Sequence, residues 1–156
     1  MTSTTLTLLT SARQRGQEQS LPYAGAVTPE EAFALLESDI NVLLVDVRTN
    51  AERDWIGRVK LPDAQHHAVQ WSTYPGGNPN PDFLTELTKV TADKNTTILF
   101  LCRSGVRSRH AAKLATENGY IACFDILEGF EGDKDSEGHR KTLGGWCQRG
   151  LPWLGA

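Results

Sequence analysis

The chain is 156 residues long, with a formal net charge of −3, 39% hydrophobic and 22% charged residues. That is the balance of one soluble globular domain with room for a full core, and it excludes bulk attraction to nucleic acid or to an anionic membrane. No apolar run approaches the length of a membrane span. Three irregularly spaced cysteines, Cys102, Cys123 and Cys147, make neither a disulfide framework nor a zinc-binding C-x-x-C pair, and predict a reducing, cytoplasmic setting.

Residues 1–20 are polar and rich in Thr, Ser and Gln. They are expected to form a flexible N-terminal segment, with residues 21–156 as the folded domain. Leu21-Pro22-Tyr23 opens that domain as an extended stretch. Thr28-Pro29-Glu30-Glu31 is a helix start, with an N-cap hydroxyl, a proline in the first turn and Glu31 at the capping-box position. Ala32, Phe33, Leu35 and Leu36 supply its buried stripe. Residues 42–47, VLLVDV, read as a buried strand ending in Asp46-Val47-Arg48. Glu52 and Arg53 then fall in a short turn or helix with Trp55 and Ile56. Gly57-Arg58-Val59 leads into a loop, followed by His66, His67 and Trp71 and by a turn-rich break, Pro75-Gly76-Gly77-Asn78-Pro79. Residues 81–90 read as a helix with Phe83, Leu84 and Leu87 turned inward.

The densest chemistry lies in residues 97–112, TILFLCRSGVRSRHAA. Ile98, Leu99, Phe100 and Leu101 form a run too short for a helix and rich in strand-formers, which predicts a strand buried on both faces. Residues 108–118 predict a helix that Asn118-Gly119 stops. Cys102 sits between them, at the C-terminal end of the strand and beside a helix N-terminus. Free amides and the helix dipole favour negative charge there, and such settings bring a thiol from its usual ~8.5 down to roughly 3.5–7.5. Gly105 permits a loop that curls around the sulfur and turns the amides of Ser104, Gly105 and Val106 inward. Arg103 and Arg107 are placed to meet an oxyanion, and Ser108 to cap the helix or to hydrogen-bond the sulfur.

After the helix, residues 121–124 predict a last short strand, and Leu127-Glu128-Gly129-Phe130 a closing turn. Residues 131–143 are charged, carry glycine and have no apolar period, so they predict a surface loop. Residues 144–153 predict a short helix and an extended tail. Strands that alternate with helices give an α/β class with a mainly parallel sheet. Neighbouring His66 and His67 point different ways and have no third ligand spaced nearby, so no metal site is expected.

Cys102-Arg103-Ser104-Gly105-Val106-Arg107-Ser108 after a hydrophobic strand resembles the active-site loop of the single-domain rhodanese (thiosulfate sulfurtransferase) family. Leu44-Val45-Asp46-Val47-Arg48 with Glu52 resembles that family's strand and its Asp-x-Arg…Glu element. Leu127-Glu128-Gly129-Phe130 resembles its closing turn, and Gly150-Leu151-Pro152 its C-terminal end. The resemblance covers about residues 28–153. It departs where the family's usual histidine is Arg58, and where residues 131–143 are inserted after the closing turn.

The resemblance implies a five-stranded, mainly parallel sheet flanked by helices and a sulfurtransferase that works through a Cys102 persulfide. It implies that Arg103, Ser104, Gly105, Val106, Arg107 and Ser108 bind the substrate, and that Asp46, Arg48 and Glu52 hold the strand ends. An anionic small-molecule sulfur donor and a thiol or protein acceptor follow, with no metal or organic cofactor. Two alternatives stay open. One is a persulfide carrier without thiosulfate turnover. The other is a cysteine phosphatase or arsenate reductase of related fold; phosphatases of that kind use C-x5-R, whereas here Arg107 makes C-x4-R and Ser108 holds the arginine's place.

Overall fold

The computed structural model describes residues 2–155. Twelve elements follow in order: α1 (Ser3–Glu18), β1 (Gly25–Val27), α2 (Pro29–Ser38), β2 (Leu43–Asp46), α3 (Asn50–Trp55), β3 (Arg58–Val59), β4 (His66–Ala68), α4 (Phe83–Val90), β5 (Ile98–Leu101), α5 (Val106–Glu117), β6 (Cys123–Ile126) and β7 (Trp153–Leu154). The main sheet has the order β1-β6-β5-β2-β4, and every pairing in it is parallel. β3 and β7 form a separate antiparallel pair. Among the described residues no helix is long and apolar enough to cross a membrane.

β5 lies in the middle of the sheet, and its four residues are all fully buried. Side chains alternate across a strand, so Leu99 and Leu101 join one core with Leu35, Leu36, Phe130 and Trp146. Ile98, Phe100 and Cys102 join the other, with Phe83, Leu87, Ala111, Ala112 and Ala115. This is why the run is apolar at every position. The small residues of α5 let that helix lie close over β5.

Among the described residues, 2–20 correct the expectation of a flexible segment, for Ser3–Glu18 form α1; residue 1 lies outside the described residues. Thr2 caps α1 by accepting from the Thr5 amide, and Thr5, Leu9, Ala12 and Gly16 are buried along one side. Gly16 is needed for close approach, since a Cβ there would stand 2.5 Å from the Ala24 carbonyl oxygen. Arg15 pairs with Glu31 at 3.0 Å, and Glu31 in turn closes the capping box of α2 with Thr28. Apart from Leu9, the buried residues of α1 are small, namely Thr5, Ala12 and Gly16, so the composition reads as solvated coil.

The C-terminal segment also differs. Residues 144–150 form successive turns in place of a helix, and Trp153 and Leu154 pair with Val59 and Arg58. Trp146 is fully buried and donates its indole N–H to the Pro152 carbonyl at 2.8 Å. Residues 131–143 form the irregular loop expected. Asp135 organises it by accepting from the Glu137 and His139 amides and from the Thr142 hydroxyl.

Candidate active site

Cys102 follows directly on β5, on the side that faces α5. The chain then reverses through Gly105, whose φ of 111° suits glycine and strains other residues. The nearest atom to a Cβ built at Gly105 is the Glu128 amide nitrogen at 3.7 Å, so the position needs glycine for its backbone angle and not for room. The reversal brings the Gly105 N–H to the Cys102 Sγ at 3.0 Å. Ser108, in the first turn of α5, places its Oγ 3.2 Å from the same sulfur.

Cys102 is only 1% exposed, so the sulfur lies beneath the loop. Of the three amides expected to turn inward, those of Ser104 and Val106 make no hydrogen bond to Sγ among the described residues; Gly105 alone does so. Gly105 offers α5 no side-chain cap, which leaves first-turn amides without the partner an N-cap side chain would give.

The closing turn buttresses this loop. The Phe130 amide donates to the Cys102 carbonyl at 2.8 Å, and the Glu131 amide to the Arg103 carbonyl at 2.9 Å. A Cβ on Gly129 would stand 2.5 Å from the Arg103 carbonyl carbon. Contact this close explains a glycine there.

Arg107 already has a partner within the protein. Its guanidinium is held by Glu52, with Nη1 donating to Oε1 at 2.7 Å and Nη2 to Oε2 at 2.9 Å. The fork-to-fork pair uses two of the five guanidinium N–H donors, and the Arg107 side chain stays 22% exposed at a cleft shared with Arg103. Burial pushes the Glu52 carboxyl up, but the hydrogen bonds and charge of Arg107, with the Thr49 bonds, outweigh it and hold Glu52 at about 2. Arg103 is exposed. It borders a cleft with Arg107, Glu52, Ser72, Trp55 and Tyr74, and the last two meet edge-on with centroids 6.3 Å apart.

Asp46 and Arg48 form a separate knot. Arg48 Nη2 donates to Asp46 Oδ2 and to the Gly57 carbonyl, each at 2.8 Å. Its guanidinium lies 4.3 Å from the centroid of the Phe130 ring, and both charged side chains have no exposure. The knot thus ties the end of β2 to the chain after α3 and to the closing turn. Glu52 takes no part in it; besides gripping Arg107 it closes the capping box of α3 with Thr49. Arg58 lies 3.8 Å from Asp54. His66 and His67 lie in β4, and no group of three or more His, Cys, Asp or Glu side chains among the described residues is arranged to hold a metal.

Asp125 is a residue the sequence reading missed. It lies in β6, next to β5, and accepts from Ser108 Oγ at 2.5 Å. Burial pushes its carboxyl up to about 7, against the Ser108 hydrogen bond and the charge of Arg109. Burial likewise pushes the thiols of Cys123 and Cys147 up to about 11. Those two cysteines are therefore protonated, weak nucleophiles at neutral pH.

The model of the STR4 middle domain, a rhodanese-like family, matches residues 24–156. The chain belongs to this rhodanese-like family. It is 39% identical to Rv0390 of M. tuberculosis, whose crystal structure superposes with a TM-score of 0.76 over 86% of this chain and 99% of that one. An uncharacterized protein of Rickettsia conorii is 36% identical over 79% of this chain and 91% of its own length. A thiosulfate sulfurtransferase of Haemophilus influenzae is 26% identical over 81% of this chain and 90% of its own. The five-stranded parallel sheet with helices on both faces is thus a rhodanese-like fold. Its family is one of sulfurtransferases, with Cys102 at the end of the central strand.

Proposed function

We propose that the protein is a sulfurtransferase that carries a sulfane sulfur on Cys102. One observation carries this reading: the Cys102 sulfur receives the Gly105 amide at 3.0 Å at the foot of α5, with Ser108 Oγ 3.2 Å away. In the first step the Cys102 thiolate attacks the outer sulfur of thiosulfate or a similar donor. A sulfur–sulfur bond forms, the donor's own sulfur–sulfur bond breaks, and sulfite leaves with the electron pair. Cys102 is then a persulfide. In the second step a thiophilic acceptor, such as cyanide, a thiol or a protein thiol, takes the outer sulfur and restores the thiolate. This is covalent catalysis of the ping-pong kind. The loop residues 103–108 surround the sulfur or flank its approach, and no step calls for a metal or organic cofactor. Three free cysteines suit a reducing cytoplasm.

Mass spectrometry of the intact protein after thiosulfate treatment tests the reading. The gain of one sulfur atom, lost again on adding cyanide, is expected; an unchanged mass with thiosulfate and 3-mercaptopyruvate alike would overturn it. Hydrolysis of an aryl phosphate would favour a phosphatase instead. Against that outcome, Arg107 is gripped by Glu52, and the position a phosphatase gives to arginine is Ser108.

A specific observation supports a second reading. With Arg107 engaged, exposed Arg103 is the cation of the loop that carries no ion pair among the described residues, which weakens the grip on a small dianion. A carrier that accepts sulfur from a protein donor would load Cys102 without turning over thiosulfate.

A further inference from the structure

Ser108 has one hydroxyl proton, and it points at Asp125. The Ser108 Oγ donates to Asp125 Oδ1 at 2.5 Å. Its lone pairs are left to accept, and the Cys102 sulfur lies 3.2 Å away. In the thiol state the three groups therefore read as one directed chain, from Cys102 S–H to Ser108 O–H to the Asp125 carboxylate. All three residues are fully or almost fully buried, so bulk water does not compete for these contacts.

Strand register explains the arrangement. Phe100 pairs with Asp125 across β5 and β6, and both face α5. Cys102 lies two residues beyond Phe100 on the same face. Ser108, in the first turn of α5, spans the gap between the two strand ends. A carboxylate in this place costs desolvation energy that an apolar residue would avoid, and its only side-chain hydrogen bond among the described residues is to the serine that touches the sulfur.

We propose that Cys102, Ser108 and Asp125 form a proton relay, in which Asp125 takes up through Ser108 the proton that Cys102 gives up when its thiolate forms. The Sγ–H bond breaks and its proton passes to Ser108 Oγ. The former Ser108 proton passes to Asp125 Oδ1. The products are a thiolate that accepts from Ser108 and a neutral carboxylic acid that donates to Ser108. Net charge is unchanged and nothing is oxidised. Asp125 never touches the substrate, so it is a positioning residue acting through Ser108.

The surroundings fit one negative charge shared between two sites. Burial raises the Asp125 carboxyl into the neutral range, where a proton is readily held. Arg109 in α5 favours the carboxylate, and Tyr23, ahead of β1, faces it with a phenol pushed up to about 12 by burial and by Asp125. On the thiol side the Gly105 amide and the Arg107 guanidinium draw the charge toward sulfur. Two coupled groups that share a proton titrate in two macroscopic steps.

The inference rests on Cys102 being the nucleophile, and alkylation of Cys102 by iodoacetamide across pH tests it apart from sulfur transfer. In the wild type the rate should rise in two steps with a plateau near neutrality. Asp125→Asn should give a single step, with the plateau near neutrality lost, and Ser108→Ala the same. Ser108→Thr, which keeps the hydroxyl, should restore two steps. A wild-type single step, or an Asp125→Asn profile that is unchanged or moved to lower pH, overturns the relay. Movement to lower pH is what loss of a buried negative neighbour alone would cause. Circular dichroism checks that each variant is folded, and if Asp125→Asn is not, the Ser108 pair decides. A wild type that accepts sulfur yet alkylates in one step defeats the relay alone. One that alkylates in two steps but accepts no sulfur defeats only the sulfur-transfer reading.

Discussion

Glu52 and Arg107, 55 residues apart in sequence, meet fork to fork at 2.7 and 2.9 Å beside the Cys102 loop. The pair ties α3 to the first turn of α5. It holds a cation near the sulfur with about a fifth of its side chain still open to the cleft.

This pair sets a pH dependence. The folded Glu52 carboxyl lies at about 2 against an ordinary 4.5. A depressed carboxyl stabilises the fold fully above the unfolded value and loses that contribution as pH falls through the folded one. Wild-type stability should therefore drop by about 2 kcal/mol between pH 4.5 and pH 2 through this group. Thermal unfolding of Glu52→Gln against wild type across that window isolates the contribution, and parallel curves would count against it.

Cys102→Ser should remove all sulfur loading from thiosulfate and leave stability within about 1 kcal/mol of wild type. Hydroxyl for thiol is a small change of volume, and Gly105 and Ser108 can still hydrogen-bond it. Intact mass and urea unfolding read the two effects separately.

The two loop glycines should behave differently. Gly105→Ala puts a side chain where φ is 111° but makes only an ordinary contact, with the Glu128 amide nitrogen at 3.7 Å, so it should cost about 1–2 kcal/mol. Gly129→Ala combines a φ of 66° with a collision against the Arg103 backbone, and should cost about 3 kcal/mol while slowing sulfur loading. Equal losses of stability in the two variants would contradict this account.

Arg48→Leu strands the Asp46 carboxylate in the core with only the Arg48 backbone amide and the more distant Arg53, at 3.6 Å, to meet it. The loss should be about 3–5 kcal/mol, seen as a lower urea midpoint. Arg48→Lys should recover little of it, since one ammonium cannot reach Asp46 and the Gly57 carbonyl with the same fork.

Much of this was legible in the chain. The apolar run of β5 followed by Cys102 and a glycine pointed to a thiol between a buried strand and a helix. The Thr28 capping box fixed the start of α2. Three things escaped. α1 buries Thr5, Ala12 and Gly16, residues whose value is their smallness, which hydropathy does not register. Isoleucine at 121 drew the last strand to residues 121–124, yet it is 59% exposed on a turn. β6 starts at Cys123, and only that shift brings Asp125 into the sheet and under Ser108. The pairing of Arg107 with Glu52 is not legible locally, because the two lie 55 residues apart.

β5 supplies side chains to both layers of the core and hydrogen-bonds to a neighbour on each edge. The sulfur is thus carried by the portion of the molecule that opens last. Fraying at either margin of the sheet leaves it in register, so chemical competence and the cooperative melt should vanish together on heating, as a single event.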